Sequence, residues 1–587
     1  MDSTDSAEPA GTARRWLYDW TAAAFLFLAT ATVVVWQNSR LGVLWDLSYV
    51  LENSYRISWG DVPYRDFPFP YPPLTFLIQA ALIKLTGRVF WHTTVYCAMT
   101  GGLATVLTWR IILNVLRRNV RRARLIALLL SLPLIVLGIY CVFPHPFYDP
   151  DCTLAILLSL LLLWQLERAQ GSSWRAFFTG ATLVIPLFIK QNIGLAFLAS
   201  ALIAIIFLIA MEWWKERSVR RHAYAIGGAL FGLALALILI HFIAGLENYW
   251  HWTIQFAAAR RAPSGSDMLG IYQDQVLWLW LGIFVIGVAL FWSSRQHNRR
   301  RLFLSGLILA APFAWPAFYL LRDQDAAERA DRLLLLWPVL LIISFIAAVL
   351  NIKRRQGIAL LLPFILIATV HGTFMSQQLW GSTYAIWPLF MILFATTIAN
   401  LSMLADESSS LMTMPLVVTV VISLLISGSF YVWSHERLDY SNLSDGEMTR
   451  STLPQLKGLS VRGQWILDFE ELARYTEREI PRDDGLLLLP GEDLFYYTTG
   501  RHPRFPALLF DRTTNPYGPE EILNLCRERN IRWVIVKQDL QLEDDQVDQE
   551  KDRITEVLEQ DFEQVQSLRN YDIYRRGEPD NDDGEDK

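Results

Sequence analysis

Long apolar segments dominate this chain and restrict its fold more strongly than any other feature. The sequence has 587 residues, of which 53% are hydrophobic and only 19% charged. A helix of about 20 apolar residues crosses a 30 Å hydrocarbon core. The pattern therefore predicts a polytopic α-helical membrane protein with about 13 transmembrane helices. The apolar blocks lie at 17–37, 89–115, 124–143, 152–167, 175–190, 193–213, 224–244, 276–293, 302–321, 333–351, 357–374, 385–404 and 411–433.

Two segments near the N-terminus need a separate interpretation. The block at 73–87 is too short to span comfortably and carries Lys84, so we expect an interfacial helix in the first non-cytoplasmic loop. Arg14 and Arg15 precede the first apolar block, but no small-residue cleavage pattern follows it. We therefore expect residues 16–36 to form a retained first span rather than a removed signal peptide.

Basic residues predict the orientation of the chain. Clusters of lysine and arginine follow alternate spans, and the positive-inside rule places them in the cytoplasm. The N-terminus is then cytoplasmic, and the C-terminal domain is periplasmic or extracellular. The chain is predicted to be integral to the plasma membrane, and its basic loops are typical of a bacterial inner-membrane protein. The clusters lie at 14–15, 117–124, 215–221, 295–301 and 353–355.

The composition turns from apolar to soluble after residue 433. An amphipathic helix, a short buried strand, a second helix and a second strand are predicted in turn. This alternation is typical of a small α/β domain. The four elements lie at 465–480, 485–491, 519–530 and 532–537. The predicted division is a transmembrane domain at 1–433 with its first non-cytoplasmic loop at 38–88, a soluble domain at 434–575 and a disordered acidic tail at 576–587.

The loop after the first span, at 45–74, contains four carboxylates, two arginines and a run of aromatic residues and prolines. A simple connector needs none of these. Asp46 near the water–lipid boundary would have a raised pKa, which suits a general base, or it could cap the next helix. Asp66, among aromatic residues and prolines, is the second candidate. Asp61 is interpreted as a turn residue.

A second acidic segment directly precedes the span at 152–167. Asp149 and Asp151 could cap that helix and face its dipole, or line a cavity and bind substrate hydroxyls or a cation. Lys190, followed by Gln191, is costly at membrane depth unless a polar group meets it. The alternative is that its side chain extends to the interface.

Arg260 and Arg261 fall on the non-cytoplasmic side, against the positive-inside trend. Cations in that position suit an anion such as a phosphate. The chain has no phosphate-cradling glycine loop and no nucleotide-sugar motif, which favours a lipid-linked donor. No nucleic-acid partner is predicted.

Together these features resemble the GT-C superfamily of integral-membrane glycosyltransferases, especially the branch with protein O-mannosyltransferases and the lipid A aminoarabinose transferase. Asp46 has Tyr49 three residues further on, and a G-x-P-Y-x-D-F-type stretch runs from 60 to 74. An acidic loop at 148–151, a Lys190–Gln191 turn and a soluble α/β tail complete the match. Many relatives carry two adjacent acids where this chain has Asp46 followed by leucine.

The resemblance implies transfer of a hexosyl or pentosyl group from a polyprenyl-phosphate carrier to a hydroxyl of a lipid, glycan or protein acceptor, with inversion. Asp46 would be the base and Asp66 a second catalytic candidate. Some relatives use a divalent cation, so the metal requirement stays open. A secondary transporter or flippase is the main alternative, although no internal repeat is visible. The implied substrate-binding residues are Tyr49, Tyr64, Arg65, Asp149, Asp151, Lys190, Gln191, Arg260 and Arg261.

Overall fold

The structure is a computed structural model that describes most of the chain. The predicted acidic tail lies outside the described residues from residue 578 onward. The charged segment at 323–332 and the connection at 434–445 also lie outside them. The described ranges are 8–167, 172–262, 264–293, 299–322, 333–375, 384–405, 409–433, 446–541 and 544–577.

Helices make up most of the chain before residue 434. In chain order they are α1 (Glu8–Asn38), α2 (Leu44–Trp59), α3 (Leu74–Thr86), α4 (Phe90–Leu116), α5 (Ala123–Ser131), α6 (Leu134–Leu137), α7 (Tyr148–Leu166), α8 (Ser173–Thr182), α9 (Gln191–Trp214), α10 (Arg220–Ile243), α11 (Leu246–Trp250), α12 (Ala257–Arg261), α13 (Gly265–Met268), α14 (Gln275–Ser293), α15 (Arg299–Arg322), α16 (Leu336–Leu350), α17 (Ile358–Phe374), α18 (Trp387–Ala405) and α19 (Ser409–Trp433). A π-helical turn, His251–Phe256, joins α11 to α12, and 3₁₀ turns lie at Ile185–Phe188 and Gly270–Tyr272.

Nine helices in the described residues are long and apolar enough to cross a membrane, by length and composition. Three further blocks predicted as spans form shorter apolar helices, at Ala123–Leu137, Ile358–Phe374 and Trp387–Met403. The block at 175–190 is divided instead into the ten-residue α8 and a 3₁₀ turn that contains Pro186, since proline has no N–H to continue a helix. The predicted polytopic helical fold is confirmed.

The chain divides into two compact units. The first comprises Met1–Gln37, Thr94–Leu239 and Ala262–Leu438. The second, called here the α/β unit, comprises Asn38–Thr93, Ile240–Arg261 and Asp439–Lys587. The first loop therefore packs with the C-terminal part of the chain, although more than 300 residues separate them in sequence.

A four-stranded sheet forms the centre of the α/β unit. Its order is β3-β4-β6-β5, with β3 parallel to β4 and the other neighbours antiparallel. The strands of this unit are β1 (Met448–Arg450), β2 (Ser460–Arg462), β3 (Gly485–Leu489), β4 (Ile531–Lys537), β5 (Phe562–Ser567) and β6 (Tyr571–Arg576). Its C-terminal helices are α20 (Trp465–Glu479), α21 (Phe495–Thr499), α22 (Pro519–Glu528) and α23 (Asp545–Leu558), with a 3₁₀ turn at Pro454–Leu456. The helices and strands predicted between 465 and 537 are thus present.

Helix α2 of the first loop belongs to the core of this unit. Leu44, Leu47, Leu51 and Tyr55 recur at helical spacing and are buried in one cluster with α20 and one face of the sheet. Each such side chain contributes roughly 1.5–3 kcal/mol through burial. Gly60 ends the helix at φ +114°, where its N–H donates to the Ile57 carbonyl. The opposite sheet face is covered by α22 and α23.

Glu52 is a buried carboxyl on α2. Burial raises its pKa well above the ordinary value, although the Tyr497 N–H donates to both its oxygens at 3.1 Å. Because the folded state holds this proton more tightly, the stabilisation is complete below the unfolded pKa and is lost as pH rises through the folded pKa. We expect Glu52→Gln, which needs no proton, to raise the apparent melting temperature at about pH 8 and to change it little at about pH 4. Melting curves of both proteins across this range test the prediction, and equal pH slopes would contradict it.

Candidate functional site

Asp46 lies in the first turn of α2, and its side chain is partly exposed. Val43, not Asp46, occupies the N-cap position, and the Val43 side chain makes no capping hydrogen bond. An acid in the first turn also meets the positive end of the helix dipole. Trp45 and Leu47 on either side of Asp46 are buried. The Asp46 carboxylate therefore lies on a helix that is packed into the core, at the boundary between its buried face and the surface.

Tyr49 follows Asp46 by three residues and is buried in an aromatic cluster. Its ring is parallel to that of Phe69 at 6.5 Å and meets the edges of Tyr71 at 5.2 Å and Phe76 at 5.8 Å. Such edge-to-face pairs add about 0.5–1.5 kcal/mol beyond their burial. The aromatic run of the first loop thus folds onto α2 and holds the helix from its other side.

Tyr64, Arg65 and Asp66 form one tight turn in the first loop. Tyr64 has a φ of +71° and its hydroxyl donates to the Tyr71 carbonyl at 2.7 Å. Asp66 accepts from the Val62 N–H at 2.7 Å and from the Arg65 guanidinium at 2.8 and 2.9 Å. Arg65 holds the pKa of Asp66 below its usual range. A lowered pKa makes Asp66 a weaker base. Its hydrogen bonds within the turn favour a turn-forming role instead.

Asp61 has a partner that the sequence did not predict. Its carboxylate accepts from Arg56 Nε at 2.7 Å and lies 3.2 Å from His502 Nε2. Arg56 is 4% exposed and also donates to the carbonyls of Phe505 and Pro506. Asp61 follows the Gly60 that ends α2, and its carboxylate neutralises a buried guanidinium.

The first unit holds a separate polar group around Asp149. Lys190 is the N-cap residue of α9 and donates to Asp149 in the first turn of α7; both are buried. The start of α9 comes close to the preceding 3₁₀ turn because Gly194 has no Cβ, which would lie 2.3 Å from the Pro186 carbonyl oxygen. The polar partner predicted for Lys190 is thus an acid of the same unit. Gln191 is the first residue of α9.

Asp151 is held by two tyrosines that the sequence analysis missed. The hydroxyls of Tyr96 and Tyr140 both donate to Asp151 Oδ1 at 2.7 Å. A buried carboxylate needs hydrogen-bond donors, so tyrosines in neighbouring apolar segments were the available signal. We call Asp149, Asp151, Lys190, Tyr96 and Tyr140 the acid–lysine cluster.

Arg260 is held by backbone carbonyls of its own unit. Its Nη1 donates to Arg512 O at 2.6 Å and to Asn515 O at 2.8 Å, and the guanidinium lies over the Phe256 ring. The Arg261 side chain lies outside what the structure describes. Among the described residues there is no group of three or more His, Cys, Asp or Glu side chains that could hold a metal ion.

No protein-family model matches the chain, and a search of curated proteins found no significant match. Solved structures with a similar fold include ArnT from Cupriavidus metallidurans bound to undecaprenyl phosphate, at 13% identity and a TM-score of 0.42 over 94% of this chain and 97% of that one. The apo state of ArnT gives 13% and 0.40 over 96% and 98%. The Archaeoglobus fulgidus oligosaccharyltransferase complex with Zn and sulfate gives 11% and 0.40 over 87% and 68%.

Proposed function

We propose that this protein is a membrane glycosyltransferase that moves a sugar from a polyprenyl-phosphate carrier to a hydroxyl of an acceptor. The observation that supports the proposal is the position of Asp46 in the first turn of a helix that packs into the core. Only residues 39–43 separate the first apolar helix from α2, and α2 is fixed in the core of the α/β unit. A base needs this kind of rigid support, since misplacement by about 1 Å can cost 10²-fold in rate.

Asp46 is proposed to take the proton of the acceptor hydroxyl. The acceptor oxygen then forms a bond to the anomeric carbon, while the bond from that carbon to the phosphate oxygen breaks. Polyprenyl phosphate leaves with the bonding electrons, and this single displacement inverts the anomeric centre. No nucleotide or redox cofactor enters the balance.

Donor binding is proposed for the acid–lysine cluster together with Gln191. Asp149 offsets the cost of burying the Lys190 ammonium, which keeps a cation available to a phosphate. Asp151, fixed by its two tyrosines, is suited to accept hydrogen bonds from sugar hydroxyls. Arg260 and Arg261 remain further candidates for the phosphate, and Tyr49, Tyr64 and Arg65 for the acceptor. We propose that the reaction takes place on the non-cytoplasmic face.

One observation favours a second candidate, a secondary transporter or flippase without transferase activity. Buried ion pairs such as Lys190–Asp149 at membrane depth also serve as coupling sites in transporters. Against it, Asp46 and the loop around it have no place in such a mechanism. The two candidates differ in whether the bond between sugar and phosphate is broken.

A reconstituted assay separates them. The purified full-length chain in liposomes receives undecaprenyl phosphate that carries a radiolabelled hexose or pentose, with a bacterial envelope lipid extract as acceptor. We expect the label to leave the polyprenyl phosphate and to appear on an acceptor, with free polyprenyl phosphate formed in equal amount. Label that changes leaflet while still attached to polyprenyl phosphate would contradict the transferase and support the flippase.

A further inference from the structure

The start of α2 is held by a side chain almost 500 residues away in sequence. Gln541 Oε1 accepts from the Leu44 N–H at 2.8 Å, and Gln541 Nε2 donates to the Gly42 carbonyl at 2.9 Å. Leu44 is the first residue of α2, and Gln541 is only 1% exposed. The amide therefore takes the place of the N-cap side chain that Val43 cannot supply.

Gln541 is itself fixed by a buried charged network. Its N–H donates to Glu492 Oε1 at 3.0 Å, and Lys537 Nζ donates to Glu492 at 2.8 Å and to Asp493 at 2.9 Å. The Tyr571 hydroxyl donates to the other Asp493 oxygen at 2.8 Å. The amide that holds α2 is thus anchored on β4 and β6 of the sheet.

A third bond joins the next turn of α2 to the same segment. Ser48 Oγ lies 3.0 Å from the Gly491 carbonyl oxygen, directly before Glu492, and 3.0 Å from the Trp45 carbonyl oxygen, so its one hydroxyl hydrogen is shared between them. Gly491 needs its φ of +94° and has no room for a Cβ, which would lie 1.9 Å from the Leu508 carbonyl oxygen. Asp46 therefore lies between two hydrogen bonds, at Leu44 and at Ser48, whose partners belong to the segments that directly follow β4 and β3.

We propose that Gln541 is a positioning residue for sugar transfer. Its side chain fixes the first turn of α2 and thereby sets the orientation of Asp46. This inference rests on the proposed role of Asp46 as the base. Without the amide, Leu44 N–H and Gly42 C=O lose their partners and the first turn frays. In this way the C-terminal part of the chain affects catalysis by holding Asp46 in position.

The first test measures the position itself and needs no substrate. Gln541→Met removes both bonds at similar side-chain volume. Glu470→Met is the matched control, because Glu470 is also buried in the α/β unit and accepts from the Thr452 N–H and two hydroxyls. By hydrogen-exchange mass spectrometry, we expect the amides at 44–47 to exchange about fivefold faster in Gln541→Met, as the loss of one hydrogen bond implies, and to be unchanged in Glu470→Met.

The second test measures transfer. Gln541→Met should lower kcat by about 10- to 100-fold with little change in KM for donor and acceptor. In an Asp46→Asn background it should change the residual rate little, since the residue it positions is already disabled. Gln541→Asn, which keeps the amide but shortens the side chain, should show the same pattern more weakly and serves if the methionine variant does not fold.

Each outcome separates this inference from the proposed function. A wild-type kcat in Gln541→Met, or losses that add to those of Asp46→Asn, would overturn the positioning role and leave the base assignment standing. A fall in kcat of equal size in Glu470→Met would overturn it too, since general destabilisation would then explain both. Undiminished transfer by Asp46→Asn would instead overturn the proposed base.

Discussion

Asp46→Asn is expected to slow sugar transfer by about 10²–10⁴-fold, the usual contribution of a positioned general base. Asparagine has the same shape but cannot accept the proton of the acceptor hydroxyl. Because the substitution removes an interaction made in the transition state, kcat should fall while the KM values change little. The reconstituted assay with radiolabelled polyprenyl-phosphate sugar measures both.

The matched control lies on the same helix. Glu52→Gln also exchanges an acidic side chain for its amide on α2, but Glu52 is 3% exposed and faces the Tyr497 backbone rather than the surface. We expect this variant to keep transfer near the wild-type rate. Equal losses of the transfer rate in Asp46→Asn and Glu52→Gln would show that α2 tolerates neither substitution, which would contradict a specific role of Asp46 as the base.

Asp66 offers a comparison inside the same loop. Its carboxylate accepts from the Val62 N–H and from Arg65, so it already serves the turn. Asp66→Asn should therefore lower thermal stability and reduce transfer less than Asp46→Asn does. A larger loss of transfer in Asp66→Asn would reverse the order of the two catalytic candidates.

Elements with a strong local pattern could be predicted from the sequence. The helical spacing of apolar residues at 465–480 and the apolar run of β4 indicate a helix and a strand by themselves. The division of the block at 175–190 was missed because mean apolarity outweighed Pro186, whose effect on the backbone is local. Periodicity therefore identified the elements better than it identified their lengths.

Long-range pairing could not be predicted in this way. The bond from Leu44 to Gln541 joins residues 497 apart, and nothing in either segment indicates the other. Lys190 was a candidate because a charge at membrane depth is costly, yet that cost does not say which partner meets it. For Asp151 the partners are Tyr96 and Tyr140, which read as ordinary aromatic residues of apolar blocks.

The largest effect on stability is expected for Lys537. Its side chain is 1% exposed and lies between Glu492 and Asp493, themselves 0% and 2% exposed. Burial alone would lower the pKa of Lys537, but the two carboxylates outweigh it and raise that pKa. Lys537→Met leaves two carboxylates buried without their cation, so we expect the free energy of unfolding of the α/β unit to fall by about 3–5 kcal/mol.

A control and a rescue variant make this expectation specific. Lys551→Met removes a hydrogen bond to the Gln538 carbonyl and an ion pair to Asp548, whose side chain is 45% exposed and is solvated by water in the variant, so the cost should be about 1–2 kcal/mol, below that of Lys537→Met. Adding Glu492→Gln and Asp493→Asn to Lys537→Met removes the uncompensated charges while keeping oxygen acceptors for Gln541 and Tyr571, and it should recover most of the loss. Denaturant melts of the four proteins measure the differences. If the triple variant is no more stable than Lys537→Met, packing of the lysine stem rather than its charge holds the network together.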